Sequence, residues 1–231
     1  EFNKKNLIYL IFSFSLFLGF LIEENASGGA KIDFEYLFPF TENFKHGFLD
    51  AIDIFAKDSG TLIHSPVFYI LIGKAQNLFL NSDHLKIIYI IISCSLPYIF
   101  YLVLKERYKH NIDFCFYFSL IIFFSPYFRS SAIWLLGDNL SLIFFCLSIY
   151  FINKKTETIE NFKKYFLSLF FLGLCCYIRY YYFVFAIYYF YIFYKNLDIK
   201  KFYYLLLIAL ILSTPALIYF FYIIKNYDFM N

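Results

Sequence analysis

The chain has 231 residues, of which 61% are hydrophobic and 26% aromatic, and only 16% are charged. A soluble domain carries about 45–50% apolar and about 25% charged residues, so this composition excludes an ordinary soluble fold. The net charge of +3 comes from basic residues scattered between apolar runs, which excludes a nucleic-acid-binding surface. All five cysteines lie inside apolar runs and form no C-x-x-C pair, so we expect neither a disulfide framework nor a zinc site.

Long apolar runs predict membrane-spanning helices. The first, at residues 7–22, follows Lys4 and Lys5 and is either a signal peptide or a retained helix; the polytopic remainder favours a retained helix. The later runs are 86–104, 112–128, 139–153, 165–194 and 202–224. Because the chain begins with Glu1 and its last residues directly follow an apolar run, we expect truncation at one or both ends.

Two segments are ambiguous, and the distribution of basic residues decides between their alternatives. The run 65–80 is short and polar for a crossing, whereas 165–194 is long enough for one tilted helix or for two short ones. The basic loops share one side only if 65–80 does not cross and 165–194 crosses twice, with a turn at Arg179. The inside then holds twelve of the 20 Lys and Arg but six of the 17 Asp and Glu, as the positive-inside rule expects.

The sequence therefore predicts an all-α polytopic membrane protein with about seven transmembrane helices. Residues 23–63 form a long outer loop that carries short juxtamembrane helices, and 65–80 is a helix lying along the outer face. A loop of this length in a compact membrane protein is usually functional. We treat 1–231 as a single transmembrane domain with 23–63 as its catalytic loop.

Several ionisable residues share the outer face on this topology, where charged groups at membrane depth tend to mark substrate or ion pathways. They are Asp33, Glu35, His64, Lys74, Arg129, Asp138 and Arg179. A hydroxyl that attacks a sugar carbon needs a carboxylate to accept its proton. A departing lipid phosphate needs cationic donors, and the planar fork of arginine suits it. Transporters show similar residues, so residue types alone leave both classes open.

Four segments resemble, in the same order, motifs of the GT-C glycosyltransferases. The acidic motif Asp33-Phe-Glu35-Tyr36 and the segment that begins His64-Ser65-Pro66 are similar to the first outer loop of the protein O-mannosyltransferases and lipid A aminoarabinose transferases. The segments 125–151 and 172–185 are similar to two later motifs of that branch. Two departures are His64-Ser-Pro in place of His-Pro-Pro and an extra Phe between the two acids.

The resemblance implies a membrane glycosyltransferase of inverting type, and it assigns roles to the outer-face residues. Asp33 becomes the catalytic base, Glu35 its helper and Asp138 a second acid in the cavity. Arg179 becomes a phosphate ligand, supported by Arg129 and His64, and Lys74 completes the predicted phosphate-binding set. No metal or other cofactor is expected. The expected partners are a polyprenyl-phosphate sugar, membrane lipids and an acceptor that is lipid A, a polysaccharide or a protein, but no nucleic acid.

Simpler interpretations accompany each of these roles. Asp33 is otherwise a solvated loop acid, Asp138 a helix N-cap, and Arg179 a turn residue that reaches the membrane interface. His64 and Arg129 are otherwise packing and lipid-anchoring residues. At the level of the whole protein, the alternatives are a secondary transporter or flippase and an assembly subunit without chemistry. The expected location is the bacterial inner membrane, with the site facing the periplasm.

Overall fold

The protein is described by a computed structural model covering residues 4–58, 61, 64–78, 81–154 and 161–226. All regular elements in these ranges are helical, which confirms the predicted all-α class. The α-helices, in chain order, are α1 (Lys4–Leu21), α2 (Ala30–His46), α3 (Leu49–Lys57), α4 (Pro66–Ala75), α5 (Ser82–Arg107), α6 (Ile112–Ser119), α7 (Pro126–Ile133), α8 (Gly137–Asn153), α9 (Asn161–Ile178), α10 (Phe185–Asn196) and α11 (Ile199–Asn226). Two short 3-10 turns, Leu120–Phe124 and Tyr180–Val184, complete the fold.

Within the described ranges, α1, α5 and α11 are each long and apolar enough to cross a membrane. The bent pair of α6 and α7 makes a fourth if it counts as one span. The 26 residues of α5 extend about 39 Å at 1.5 Å per residue, which exceeds the hydrocarbon core of about 30 Å. The structure thus supports a multi-pass membrane protein with three or four spans, and the full set of about seven crossings stays a prediction.

The span predicted at 112–128 is bent rather than straight. Its helical part ends in the 3-10 turn Leu120–Phe124, and α7 then leaves at 65°. Ser125 has an extended backbone and its hydroxyl oxygen accepts a hydrogen bond from the amide of Phe128, while Pro126 starts α7. Proline disfavours helical geometry in the residue before it and is tolerated in the first turn of a helix, so the helix breaks at this point.

The long apolar run 165–194 is divided at Arg179. Helix α9 ends at Ile178, Arg179 has an extended backbone, and the chain continues through the 3-10 turn into α10. The ring of Tyr165 near the start of α9 lies 5.0 Å from the ring of Phe193 near the end of α10. The two helices therefore form a hairpin with its turn at Arg179, as the sequence predicts; its position in a membrane stays a prediction.

The region predicted as a long loop carries α2 and α3, while residues 59–60 and 62–63 lie outside the described ranges. The following helix, α4, has 10 residues and extends about 15 Å, half the thickness of the hydrocarbon core. It packs on α2 through the close approach of Gly73 to Phe44, and the buried Gln76 amide donates to the hydroxyl of Thr41 at 2.9 Å. This length agrees with the prediction that 65–80 does not cross.

The helices have two chemically different ends. At one end, which we call the basic end, Lys5 of α1 pairs with Asp113 of α6, and the amine of Lys164 donates to the carbonyl of Lys154. At the other, which we call the polar end, lie Glu24, Arg129, Asp138 and Arg179. Between them is a packed apolar layer that includes Leu16, Ile90, Phe123, Phe128 and Ile143.

Candidate functional site

The polar end contains a three-residue cluster centred on Arg179. The guanidinium donates from Nε to Oδ1 of Asp138 at 2.8 Å and from Nη2 to Oδ2 at 2.7 Å. Its third nitrogen, Nη1, lies 2.9 Å from Nδ1 of His64. All three nitrogens of the guanidinium are thereby engaged, and only 14% of the Arg179 side chain is exposed. This is a bidentate, charge-assisted arrangement, which is the strong form of an arginine–carboxylate contact.

The register of α8 against α9 brings Asp138 and Arg179 together. Midway along these antiparallel helices, Ser148 and Ser168 exchange hydroxyl-to-carbonyl hydrogen bonds of 2.8 and 3.0 Å. About three turns from that contact, Asp138 in the first turn of α8 lies opposite Arg179. Leu136 occupies the N-cap position and no side chain caps the helix, so Asp138 is not the N-cap; its carboxylate accepts hydrogen bonds from Arg179 instead.

The turn before α8 has an unusual backbone. Leu135 has a φ of +53°, in the left-handed region that a branched side chain rarely adopts. It follows the end of α7, where such a conformation is normally supplied by glycine. The Leu135 side chain is buried with Phe68 and Tyr69 of α4. Burial of this side chain offsets the backbone strain and fixes the direction in which α8 begins.

His64 is held next to the cluster by the start of α4. The hydroxyl of Ser65 donates to the carbonyl of Tyr177 in α9. This hydrogen bond joins the start of α4 to α9. Burial, reinforced by the positive charge of Arg179, lowers the pKa of His64 below its ordinary value of 6.5. Because a guanidinium can only donate, Nδ1 of His64 is the acceptor, and the neutral ring carries its proton on Nε2.

Asp33 lies on the same side as this cluster. It is an exposed residue in the first turn of α2, and its negative charge partly opposes the lowering of the His64 pKa that burial and Arg179 cause. The same charge adds to burial, which is the main cause of the raised pKa of Tyr69. The other three predicted residues, Glu35, Lys74 and Arg129, lie outside this cluster. Glu35 is exposed on α2, and its negative charge adds to the effect of Glu23 in raising the pKa of Lys31. Lys74 is exposed near the far end of α4, about 12 Å along that helix from Pro66.

Arg129 belongs to a second ion pair. Its Nε and Nη2 donate to the carboxylate of Glu24 at 2.7 and 2.5 Å, and Nη1 donates to the hydroxyl of Ser15 at 2.9 Å. The indole of Trp134 donates to the carbonyl of Glu24 at 2.8 Å. Hydrogen bonding from Arg129 lowers the pKa of Glu24. This contact joins the segment that follows α1 to α7. Nothing in the sequence distinguishes Glu24 from its neighbouring acids.

A cation–aromatic cluster adjoins this second ion pair. The amine of Lys86 lies 4.4 Å from the ring centre of Phe34 and 4.8 Å from that of Trp134. Lys31 lies 5.2 Å from the Trp134 ring and pairs with Glu23 at 2.8 Å. Cations over aromatic faces are attracted by the ring quadrupole. The cluster ties α2, α5 and α7 together beside Asp33, and the sequence alone did not reveal it.

The Arg179 cluster and the neighbouring Asp33 thus combine one deeply set guanidinium, two carboxylates and one neutral imidazole. These groups suit the binding of an anion and the acceptance of a proton. In the part of the chain that the structure describes, there is no group of three or more His, Cys, Asp or Glu side chains positioned to hold a metal ion.

No family model matches this chain, and no curated protein and no solved structure is similar to it at a significant level.

Proposed function

We propose that this chain forms the donor side of a membrane glycosyltransferase of GT-C type. The enzyme moves a sugar from a polyprenyl-phosphate carrier to an envelope acceptor on the outer face of the bacterial inner membrane. The observation that carries the proposal is the contact of Arg179 with Asp138 and His64, beside Asp33, in a protein with several apolar helices. These are four of the seven predicted site residues.

The proposed reaction is a direct displacement at the sugar carbon with inversion. Asp33, which is exposed and free to approach an acceptor, takes the proton of the attacking hydroxyl. Arg179 stabilises the negative charge that develops on the departing lipid phosphate. Before the donor binds, Asp138 and His64 hold the guanidinium in place through their contacts with its three nitrogens.

The remaining predicted residues take less direct roles in this proposal. Arg129 is engaged with Glu24 and fixes α1 to α7, so it supports the polar end rather than contacting the donor. Glu35 and Lys74 are exposed side chains outside the Arg179 cluster, and in this proposal they meet an acceptor or lipid headgroups.

The test is transfer of labelled sugar from a panel of polyprenyl-phosphate donors in membranes that contain the protein expressed from its whole reading frame. Asp33→Asn removes the proposed base and is expected to reduce transfer at least a hundredfold at equal protein level. Asp50→Asn is the matched control, because it removes the same charge from another exposed acid, in the first turn of α3.

Each outcome separates the candidate functions. Transfer that persists in Asp33→Asn keeps the enzyme class and moves the base to Glu35 or Asp138. If no donor is consumed across the panel, the glycosyltransferase is rejected. Movement of a labelled lipid or solute that depends on Arg179 then favours a transporter or flippase.

A further inference from the structure

The Nε–Nη2 edge of the Arg179 guanidinium is occupied in this structure. Its Nε and Nη2 face the carboxylate of Asp138, and its Nη1 faces the imidazole of His64. A phosphate that binds this arginine in bidentate fashion through the Nε–Nη2 edge must therefore displace Asp138. The planar fork accepts a carboxylate and a phosphate with the same geometry, so the two anions are direct competitors for it.

We propose that Asp138 and a phosphate group exchange on Arg179, so that phosphate binding releases the Asp138 carboxylate. This inference rests on the proposed role of Arg179 as a phosphate ligand and adds how the site is regulated. Asp138 is then a built-in competitor that lowers the affinity of the site for phosphate and keeps Arg179 paired until a phosphate arrives.

Asp138 is the neighbour suited to leave. Its side chain is 39% exposed, whereas that of Arg179 is 14% exposed, so the carboxylate has solvent into which it can turn. Once released, Asp138 remains in the first turn of α8, where the helix dipole stabilises a negative charge. His64 is held from both sides: Ser65 is bonded to the carbonyl of Tyr177, and the His64 ring is in edge contact with Tyr69.

Charge balance favours exchange over addition. Arg179 carries one positive charge, and the Asp138 carboxylate already neutralises it. A phosphate added to the intact pair would bring a second anion against the same cation, close to the further negative charge of Asp33. Like charges at such distances repel strongly where solvent is partly excluded. Displacement of Asp138 removes this repulsion.

The test measures phosphate affinity with and without the competitor. The protein is reconstituted in nanodiscs of zwitterionic phosphatidylcholine and titrated calorimetrically with inorganic phosphate and, separately, with farnesyl phosphate. Loss of a partly exposed ion pair corresponds to roughly a fivefold change, so Asp138→Asn is expected to bind phosphate about fivefold more tightly than wild type. Asp138→Glu keeps the competing charge and is expected to stay close to wild type.

Asp83→Asn is the matched control for the general loss of negative charge. Asp83 is likewise a first-turn acid, but it lies on α5 and pairs with Lys86. Asp138→Ser is a second neutral replacement in case Asp138→Asn does not fold. An increase confined to the neutral Asp138 variants supports exchange. Equal or weaker binding in these variants overturns it, because Asp138 then orients Arg179 and does not compete with the ligand.

The two phosphate sources also give distinct results. If the neutral Asp138 variants gain affinity for both probes, the exchanging ligand is the phosphate group itself; a gain for farnesyl phosphate alone shows that the prenyl chain is needed to present it. Absence of phosphate binding to the wild type and to all variants rejects exchange. Tighter binding in Asp138→Asn without any sugar transfer by the wild type keeps the exchange and rejects the proposed transferase.

Discussion

Loss of the Glu24 carboxylate tests how the polar end is held together. Glu24→Gln keeps the shape of the side chain but replaces two charge-assisted hydrogen bonds from Arg129, at 2.7 and 2.5 Å, with one weaker contact. Exposed ion pairs contribute up to about 1 kcal/mol, and removal of one partner of a buried pair costs about 3–5 kcal/mol. Since both side chains are about one-fifth exposed, we expect a loss of about 2 kcal/mol in the free energy of unfolding.

The measurement is reversible unfolding in mixed micelles with increasing dodecyl sulfate, followed by circular dichroism. Glu23→Gln is the matched control, because Glu23 pairs with Lys31 at the surface and its side chain is 67% exposed. We expect the control to change the unfolding free energy by less than about 0.5 kcal/mol. Equal effects of the two substitutions would refute the reasoning, since burial of the Glu24–Arg129 pair would then add nothing to the free energy of unfolding.

The same pair predicts a pH dependence. Hydrogen bonding from Arg129 lowers the pKa of Glu24 below its ordinary value of 4.5. A carboxyl whose pKa is depressed by folding contributes stability that is present above 4.5 and is lost as the pH falls through the folded-state value. The difference between wild type and Glu24→Gln should therefore shrink in acid. A difference that is constant down to pH 3 would contradict this account.

Further predictions concern packing and the histidine. Gly73→Ala places a Cβ against the backbone carbonyl of Thr41 and should cost about 2 kcal/mol of stability. Gly173→Ala places a Cβ in ordinary contact with Leu212, 4.0 Å from its Cδ1, and should stabilise α9 by up to about 1 kcal/mol. Melting curves of the two variants that coincide would contradict this. Ser148→Ala removes a buried hydroxyl shared by two helices and should cost about 1 kcal/mol in dodecyl sulfate titrations; a change below about 0.3 kcal/mol would argue against the contact. The lowered pKa of His64 means that its contribution is intact above pH 6.5 and is lost as the pH falls through the folded-state value. His64→Gln should remove that slope from the dependence of stability on pH.

Much of the architecture was predictable because apolar length and charge are local properties. Continuous apolar runs place α1, α5 and α11, and the single charged residue in the run 165–194 predicts the break that the structure has at Arg179. The apolar pattern predicts one continuous span at 112–128, whereas the structure bends before α7. Pro126 explains the difference, because proline disfavours helical geometry in the residue before it and is tolerated in the first turn of a helix.

The sequence predicts which residues belong to the site better than it predicts which of them contact one another. The sequence predicts Asp138, Arg179 and His64 as individual site residues. Their contact depends on the register of α8 against α9 and on the approach of α4. That register rests on contacts such as Ser148 with Ser168, which no local pattern reveals. The sequence does not predict Glu24 as a site residue for the same reason. Its partner Arg129 lies far away in the sequence and becomes its neighbour only through the bend before α7.

The most direct test of the central claim is transfer of labelled sugar by Arg179 variants, assayed in right-side-out and in inverted membrane vesicles. The account predicts that wild-type protein transfers sugar from a polyprenyl-phosphate donor supplied at the outer face. It also predicts that Arg179→Gln abolishes this transfer while Arg179→Lys retains a fraction of it, since lysine keeps the charge but not the bidentate fork. Equal transfer by Arg179→Gln and wild type, or transfer confined to donor supplied at the inner face, would contradict it.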